Sequence, residues 1–512
     1  MLYYQLRNDS FTSLLTLYEF GEEVPQFKES LFGKNPLIEH LNVEQFSYGN
    51  NYLLLEKETG GWSFLDEDEM RAYRAIHNKR LNTACKEFGA NDKVNFTEFV
   101  IHLYWRGLIK LANRRFVIPE IFSKGTISQS GPLFIFHLSN RCNLSCTYCF
   151  ADSTPASNRR MSWETAKKVI DLIFTYPADN GTIEFSGGEP LLEFDLLHKI
   201  VSYIKNRSAA TGKNYRFNIQ TNAILITKEI AEFIETSQIN LGLSLDGDAI
   251  INNATRRFST EKGTYEKIIK AMNILGNGIQ NFGVICVISR NNSDKINYLM
   301  EHFKSLGLVR VKLNPVYKIG RAVNTWDNIS LTPEDFLKVH KDYIKYIIEE
   351  PEPIVDDNTY YMIKNIGQKM HSYRCMRSQC GAGINFFSID PDGNIFPCDL
   401  FRNNQQLKLD NVKNIESLVG IVDKNNIAKK LTNRFANKIE LCSECPYKRF
   451  CEAGCTYNTF YSTNEIDTPH PWCQYYKGIY SELFKAISID HTIAQKLGAN
   501  METFQKSWFR NS

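Results

Sequence analysis

Leu133-Phe134-Ile135-Phe136-His137-Leu138 opens the stretch that sets the fold. It is a short apolar run, and further candidate strands follow at Thr182 to Phe185, Arg216 to Ile219, Leu241 to Leu245, Phe282 to Ile288 and Val309 to Leu313. Helical periodicity fills most of the intervals between them. Strand and helix in alternation give a parallel sheet with covering helices. Six such units between residues 131 and 330 predict an α/β fold, a partial (β/α)6 TIM-like barrel that stays open, with functional loops after the strand C-termini.

Outward from this block the pattern changes. Residues 1–130 read as a small α+β unit. Tyr52 to Leu55 and Trp62 to Leu65 flank Thr59-Gly60-Gly61 as a hairpin. Asp66 then caps a helix through Met70 and Ile76, and a second helix puts Phe96, Phe99, Val100 and Leu103 on one face before Arg114-Arg115. Hairpin plus helices predicts a winged-helix-like domain. Residues 331–370 read as a helical bridge, with Val339 to Ile348 amphipathic and Pro351 and Pro353 ending it. Residues 371–475 hold eight cysteines with few long periodic runs, a segment organised by metal more than by an apolar core. Residues 476–512 read as a helical tail.

Composition narrows the function classes. The 512 residues are 43% apolar, enough for several cores. The 60 basic and 57 acidic side chains leave a formal charge of +3, with no block of like charges, so nucleic acid is not an expected partner. No run of about eighteen apolar residues exists, and the start, Met1-Leu2-Tyr3-Tyr4-Gln5-Leu6-Arg7-Asn8-Asp9, lacks the regions of a secretory signal. A cytoplasmic protein that does not enter a membrane is expected. In that compartment thirteen cysteines would rarely be disulfides, so their clustering points to metal or redox chemistry.

The first cluster, Cys142-Asn143-Leu144-Ser145-Cys146-Thr147-Tyr148-Cys149, directly follows the first predicted strand. Three thiolates are one too few for a closed [4Fe-4S] site and leave one iron open to a ligand. By spacing alone a structural zinc site competes. Further on, Ser186-Gly187-Gly188-Glu189-Pro190 offers two glycines for close backbone approach and a carboxylate that can accept from an amino group. Alone, such a pair usually marks a turn.

In this order and distance the motifs resemble the radical S-adenosylmethionine (SAM) superfamily over roughly residues 131–320, including Tyr148 before the third cysteine. The resemblance implies that Cys142, Cys146 and Cys149 hold a [4Fe-4S] cluster whose open iron binds SAM. It also implies that Gly187, Gly188 and Glu189 meet the SAM amino group. Gln220-Thr221-Asn222 and Ser244-Leu245-Asp246-Gly247 would contact the ribose and carboxylate, with either Arg256 or Arg257 pairing the carboxylate. The bland reading of each polar group is a capped turn.

The remaining cluster runs Cys375, Cys380, Cys398 preceded by Gly393, then Cys442, Cys445, Cys451, Cys455 and Cys473. This ordering resembles the SPASM extension of radical SAM peptide-modifying enzymes. The resemblance implies two auxiliary [4Fe-4S] clusters, the first on Cys375, Cys380, Cys398 and Cys455 and the second on Cys442, Cys445, Cys451 and Cys473. Eight thiolates close two four-ligand sites, although two zinc sites satisfy the same count. Cys85 and Cys286 read as buried structural cysteines.

The implied function is a peptide maturase that uses a 5'-deoxyadenosyl radical to form a thioether or carbon-carbon crosslink in a ribosomally made precursor. Its cofactors would be SAM and three [4Fe-4S] clusters, its partners the precursor peptide and an electron donor such as flavodoxin or ferredoxin. The N-terminal unit resembles the precursor-recognition domain related to the PQQ-biosynthesis peptide chaperone, which binds a leader as an added strand. Two alternatives stand beside it: an anaerobic sulfatase-maturing type enzyme, and a non-enzymatic iron-sulfur carrier or zinc scaffold. Asp399, next to Cys398, is the candidate proton acceptor, its pKa expected to rise with burial.

Overall fold

The structure, a computed structural model, describes residues 32–88, 93–116, 131–276, 282–367, 375, 380–402 and 404–498. Its main element is a ten-stranded sheet. Strands β8 (Leu133–Ser139), β9 (Asn180–Gly187), β10 (Asn214–Thr221), β11 (Ile239–Ser244), β12 (Gly283–Ile288) and β13 (Arg310–Pro315) lie side by side in chain order, all parallel. Each matches a run read from the sequence. Helices such as Trp163–Thr175, Phe194–Thr211 and Lys228–Thr236 cover the sheet between strands, started by Ser162 and Thr227 side chains at the first and third. This is the α/β class expected.

The sheet also extends past residues 131–330. Val355–Asp356 (β14) adds beside β13, and Phe386–Ile389 (β15) pairs parallel with β8, Phe387 opposite Phe134. Antiparallel β16 (Asn394–Phe396) and β17 (Asp410–Asn411) follow. The turn between β15 and β16 is held by Asp390, which accepts from the Asp392 and Asn394 amides, and by Arg159, which bridges Asp390 and Asp392. That hairpin delivers Cys398 next to the strand that delivers Cys142. Residues 331–367 hold the helix Pro333–Glu349, started by a Thr332 and Asp335 capping box, then β14 and the helix Asp357–Gly367, and the helix Cys473–Ile489 runs across position 475.

Towards the N-terminus, β1 (Leu37–His40) lies between β5 (Lys79–Arg80) and β6 (Ile109–Leu111), with β7 (Arg114–Arg115) beyond. Separately, β2 (Val43–Tyr48), β3 (Asn51–Glu56) and β4 (Trp62–Leu65) form a meander that contains the expected hairpin, Leu53 opposite Phe64. Asp66 caps the helix Glu67–Ala75 through a reciprocal capping box with Glu69.

Successive strand residues face opposite sides, so an unbroken apolar run such as Leu53-Leu54-Leu55 requires both sides to be covered. Leu54 and Leu65 pack into the N-terminal core, whereas Leu53, Leu55, Trp62 and Phe64 join the main core. There the Trp62 ring meets Phe484 edge-on at 5.1 Å, and its Nε1 donates to the Ile366 carbonyl at 2.8 Å. Lys448 and Arg449 fasten the β3–β4 turn through Glu58. Trp62→Ala therefore removes a fully buried ring and a bond, and a loss of about 3–5 kcal/mol in urea unfolding is expected. An unchanged midpoint would show that the meander is not seated on the main core.

Candidate active site

The loops that carry the motifs all leave the C-terminal edge of the parallel strands. The cysteine loop follows β8 and is pinned by its backbone. Cys142 donates its amide to Thr154, Ser145 to Arg257 and Thr147 to Thr255. The next loop crosses it closely. Gly187 has φ +133°, and a Cβ on it would lie 2.5 Å from the Ser139 carbonyl; one on Gly188 would lie 2.0 Å from that of Arg141. Only glycine fits both positions. The Gly188 and Glu189 amides then donate to Ser139 and Arg141, stitching the two loops together.

Glu189 is buried and ties this loop to the one after β10. Its carboxylate accepts from the Leu191 amide at 3.1 Å, the Thr221 hydroxyl at 2.7 Å and the Asn222 amide at 2.8 Å. Burial outweighs these bonds and pushes its pKa up to about 7. The Asn222 amide side chain reaches Asn143 at 2.8 Å and lies 3.8 Å from the Cys142 sulfur. Gln220 donates to Ser244 at 3.2 Å, joining the loops after β10 and β11.

Asp246 centres a second buried group. It accepts from Tyr148, from Thr255 at 3.0 Å and from the Val287 amide at 3.0 Å, and its carboxylate stands 3.1 Å from Arg256 Nε. The Arg256 guanidinium lies over the Tyr148 ring at 5.3 Å; burial works against its charge, and Asp246 outweighs the burial and keeps it charged. Arg257 turns outward instead to Glu261, 2.7 Å away. The two arginines thus have different surroundings: Arg256 inside, behind Cys146 and Tyr148, and Arg257 at the rim.

All three cysteines are free thiols. Burial pushes the Cys146 thiol up to about 11, with the Arg256 charge opposing, and pushes Cys142 higher still. Iron would take the place of those protons. With three thiol donors on one loop and a glycine-lined approach beside them, the residues fit a cluster with one open position.

The eight later cysteines fall into two electrostatic groups. Cys398 has Cys375, Cys455 and Cys380 as charge neighbours, and Cys451 has Cys442, Cys445 and Cys473. The two groups have the same members as the quartets that the SPASM resemblance implies. Among the described residues no three His, Cys, Asp or Glu side chains converge as ligands of one metal ion. Cys85 and Cys286 are buried, Cys286 against the Asp246 carbonyl.

Asp399 begins a single turn after Cys398 and stands 3.0 Å from Nε2 of His137, a fully buried residue of β8. Arg402 donates to Nδ1 of the same ring at 2.6 Å, which leaves the ring hydrogen on Nε2, facing Asp399 and Ser388. Burial raises the Asp399 pKa, but the His137 bond and Arg402 outweigh it and hold the carboxyl below its usual range, contrary to the expected rise. His137 and Arg402 were not singled out from the sequence. The available signal was a lone histidine inside an otherwise apolar strand.

Comparison with known proteins agrees with this geometry. Residues 136–303 match the Radical SAM superfamily, and residues 380–446 match SPASM, an iron-sulfur cluster-binding domain. The chain is 24% identical over 366 residues to a cysteine-type anaerobic sulfatase-maturating enzyme of Clostridium perfringens, spanning 69% of this chain and 96% of that one. It is 23% identical over 360 residues to the mycofactocin maturase MftC of Mycolicibacterium smegmatis, spanning 70% and 86%. The structure of native anSMEcpe with bound AdoMet shares the fold with TM-score 0.61 at 22% identity, over 70% of this chain and 98% of that one. Streptococcus suis SuiB bound to precursor peptide SuiA aligns with TM-score 0.50 at 16% identity, over 86% and 100%. Among the described residues no helix is long and apolar enough to cross a membrane.

Proposed function

We propose that this chain, a radical SAM enzyme with a SPASM domain, matures a ribosomally made precursor peptide by forming a thioether or carbon-carbon crosslink. The observation that carries this reading is the N-terminal meander. Among the described residues β2 pairs only with β3, which leaves its other edge for an added strand, while one face of the sheet, Phe46 and Tyr48 of β2 included, packs on the main core. A leader peptide bound there is held by the same body that carries the radical loop. The fold alignment with SuiB, which was solved with a bound precursor peptide, spans 86% of this chain against 70% for anSMEcpe, which supports reading the N-terminal unit together with a precursor-peptide substrate.

The six parallel strands are read as an open barrel whose C-terminal edge is the reaction chamber. Cys142, Cys146 and Cys149 would hold the [4Fe-4S] cluster, with the two quartets holding two more. When bound, these groups and SAM supply one-electron cleavage of the sulfonium, hydrogen-atom abstraction from a substrate C-H, and an acceptor for the electron released afterwards. The protein's own residues do the rest. Gly187 and Gly188 admit the ligand, Glu189 accepts from its amino group, and Gln220, Thr221, Asn222 and Ser244 line the ribose side. Asp246 and Tyr148 set Arg256 behind the cysteine loop, leaving Arg257 at the rim for the carboxylate. Asp399 takes the proton lost from a substrate thiol.

Short Cys-rich or repeat-containing peptides encoded beside the gene are the substrates to test. Bound precursor is expected to slow exchange of the Val43–Tyr48 amides that point away from β3 at least about tenfold, since those amides would enter a new sheet ladder. Tight binding with unchanged exchange there would remove the leader-binding role. A second reading, formylglycine formation, draws on the sulfatase-maturating relative, of which this chain covers 96%. Turnover of a sulfatase-derived peptide, with none of the neighbouring precursor, would select it.

A further inference from the structure

Arg434 is a buried cation, 5% exposed, and among the described residues no carboxylate pairs with it. Burying a charge in this way is costly unless other groups compensate. Part of the compensation is a set of oxygens. Nε donates to the Ile466 carbonyl at 2.7 Å, and Nη2 to those of Ala453 at 2.9 Å and Thr468 at 3.0 Å. Weaker contacts reach Gly454 and the Thr459 hydroxyl, both at 3.4 Å.

The placement of those carbonyls is informative. Glu452, Ala453 and Gly454 are three consecutive residues with positive φ, at 50°, 60° and 69°. For the two that are not glycine this conformation is strained, so the turn persists only because its surroundings hold it. It spans Cys451 to Cys455, where the chain passes from one quartet to the other. Arg434 grips the turn by two of its carbonyls. Its charge faces Cys442 and Cys451 of one quartet and Cys455 and Cys380 of the other. His470 lies against Gly454 on the same turn.

We propose that Arg434 is the shared counter-ion of the two auxiliary clusters, holding the turn between them and raising the reduction potential of both. The inference rests on reading the two quartets as cluster ligands. Four thiolates per cluster leave each site anionic, and reduction adds one more negative charge. A fixed cation near both therefore stabilises both reduced forms. The arginine fork also supplies the carbonyl bonds that a lysine would make less completely.

The test is a redox titration followed by electron paramagnetic resonance on the full chain, with Cys142, Cys146 and Cys149 replaced by alanine so that only auxiliary signals remain. In Arg434→Gln both midpoints are expected to move to more negative values by at least a tenfold change in the reduction equilibrium, about 59 mV for a one-electron couple. Arg434→Lys, which keeps the charge, is expected to change that equilibrium less than about threefold. Unmoved midpoints in Arg434→Gln at full iron content overturn the proposal, and a shift in only one cluster overturns the shared role. Should Arg434→Gln fail to load iron, Arg434→Lys decides: native midpoints support the charge role, and midpoints displaced about tenfold overturn it. Zinc in place of auxiliary iron in the Arg434-intact protein would instead defeat the cluster reading on which the inference stands.

Discussion

Replacing Cys142, Cys146 and Cys149 together by alanine is expected to reduce 5'-deoxyadenosine formation to background. The loop that carries them is fixed by amide bonds to Thr154, Thr255 and Arg257, so the three thiols are the part of the site that the substitutions remove. The strands beneath the loop keep their packing, because Phe134, Phe136 and Leu138 of β8 are untouched in the main core. Iron content should fall by about four per chain, one [4Fe-4S] cluster, while the auxiliary iron remains. Retained 5'-deoxyadenosine production in the triple variant would separate SAM cleavage from these cysteines.

Asp399→Asn is expected to leave 5'-deoxyadenosine formation and iron content intact while lowering modified product about 10²–10⁴-fold. Thioether formation removes one hydrogen atom from a substrate carbon, one proton from its thiol and one further electron. Asp399 is placed to accept the proton, half-buried beside Cys398 and ionised because His137 and Arg402 hold its pKa down. The amide keeps the shape and cannot take that proton. The structure also gives Asp399 a plain ion-network role, and that role predicts full product yield as long as the protein folds. Quantifying 5'-deoxyadenosine and product in the same reaction distinguishes the two.

Much of the parallel sheet was legible: Leu133 to Leu138 is buried along its length and reads as a short apolar run, whereas the strands after it bury every second residue and read by alternation. The capping of Glu67–Ala75 was legible for a local reason: Asp66 and Glu69 stand three residues apart. The seating of the meander was not, since it depends on Trp62 reaching Ile366 and Phe484 far along the chain. Strand β2, half-exposed and mixed in composition, gave no clear period. At the site, spacing grouped the cysteines and the glycines, and the order of Gly187, Gly188 and Glu189 was readable. What spacing withheld was how polar groups share partners. Arg256 and Arg257 are adjacent in sequence, yet one lies behind Tyr148 and the other pairs with Glu261 at the surface. His137, Arg402 and Arg434 act through residues hundreds or tens of positions away, which local pattern cannot show.

The most direct test of the account is the metal content of the wild-type chain after anaerobic reconstitution. Three [4Fe-4S] clusters predict about twelve irons per chain and no stoichiometric zinc. About four irons with two zinc ions would leave the radical loop in place but make the eight later cysteines a structural zinc module, contradicting the three-cluster enzyme described above.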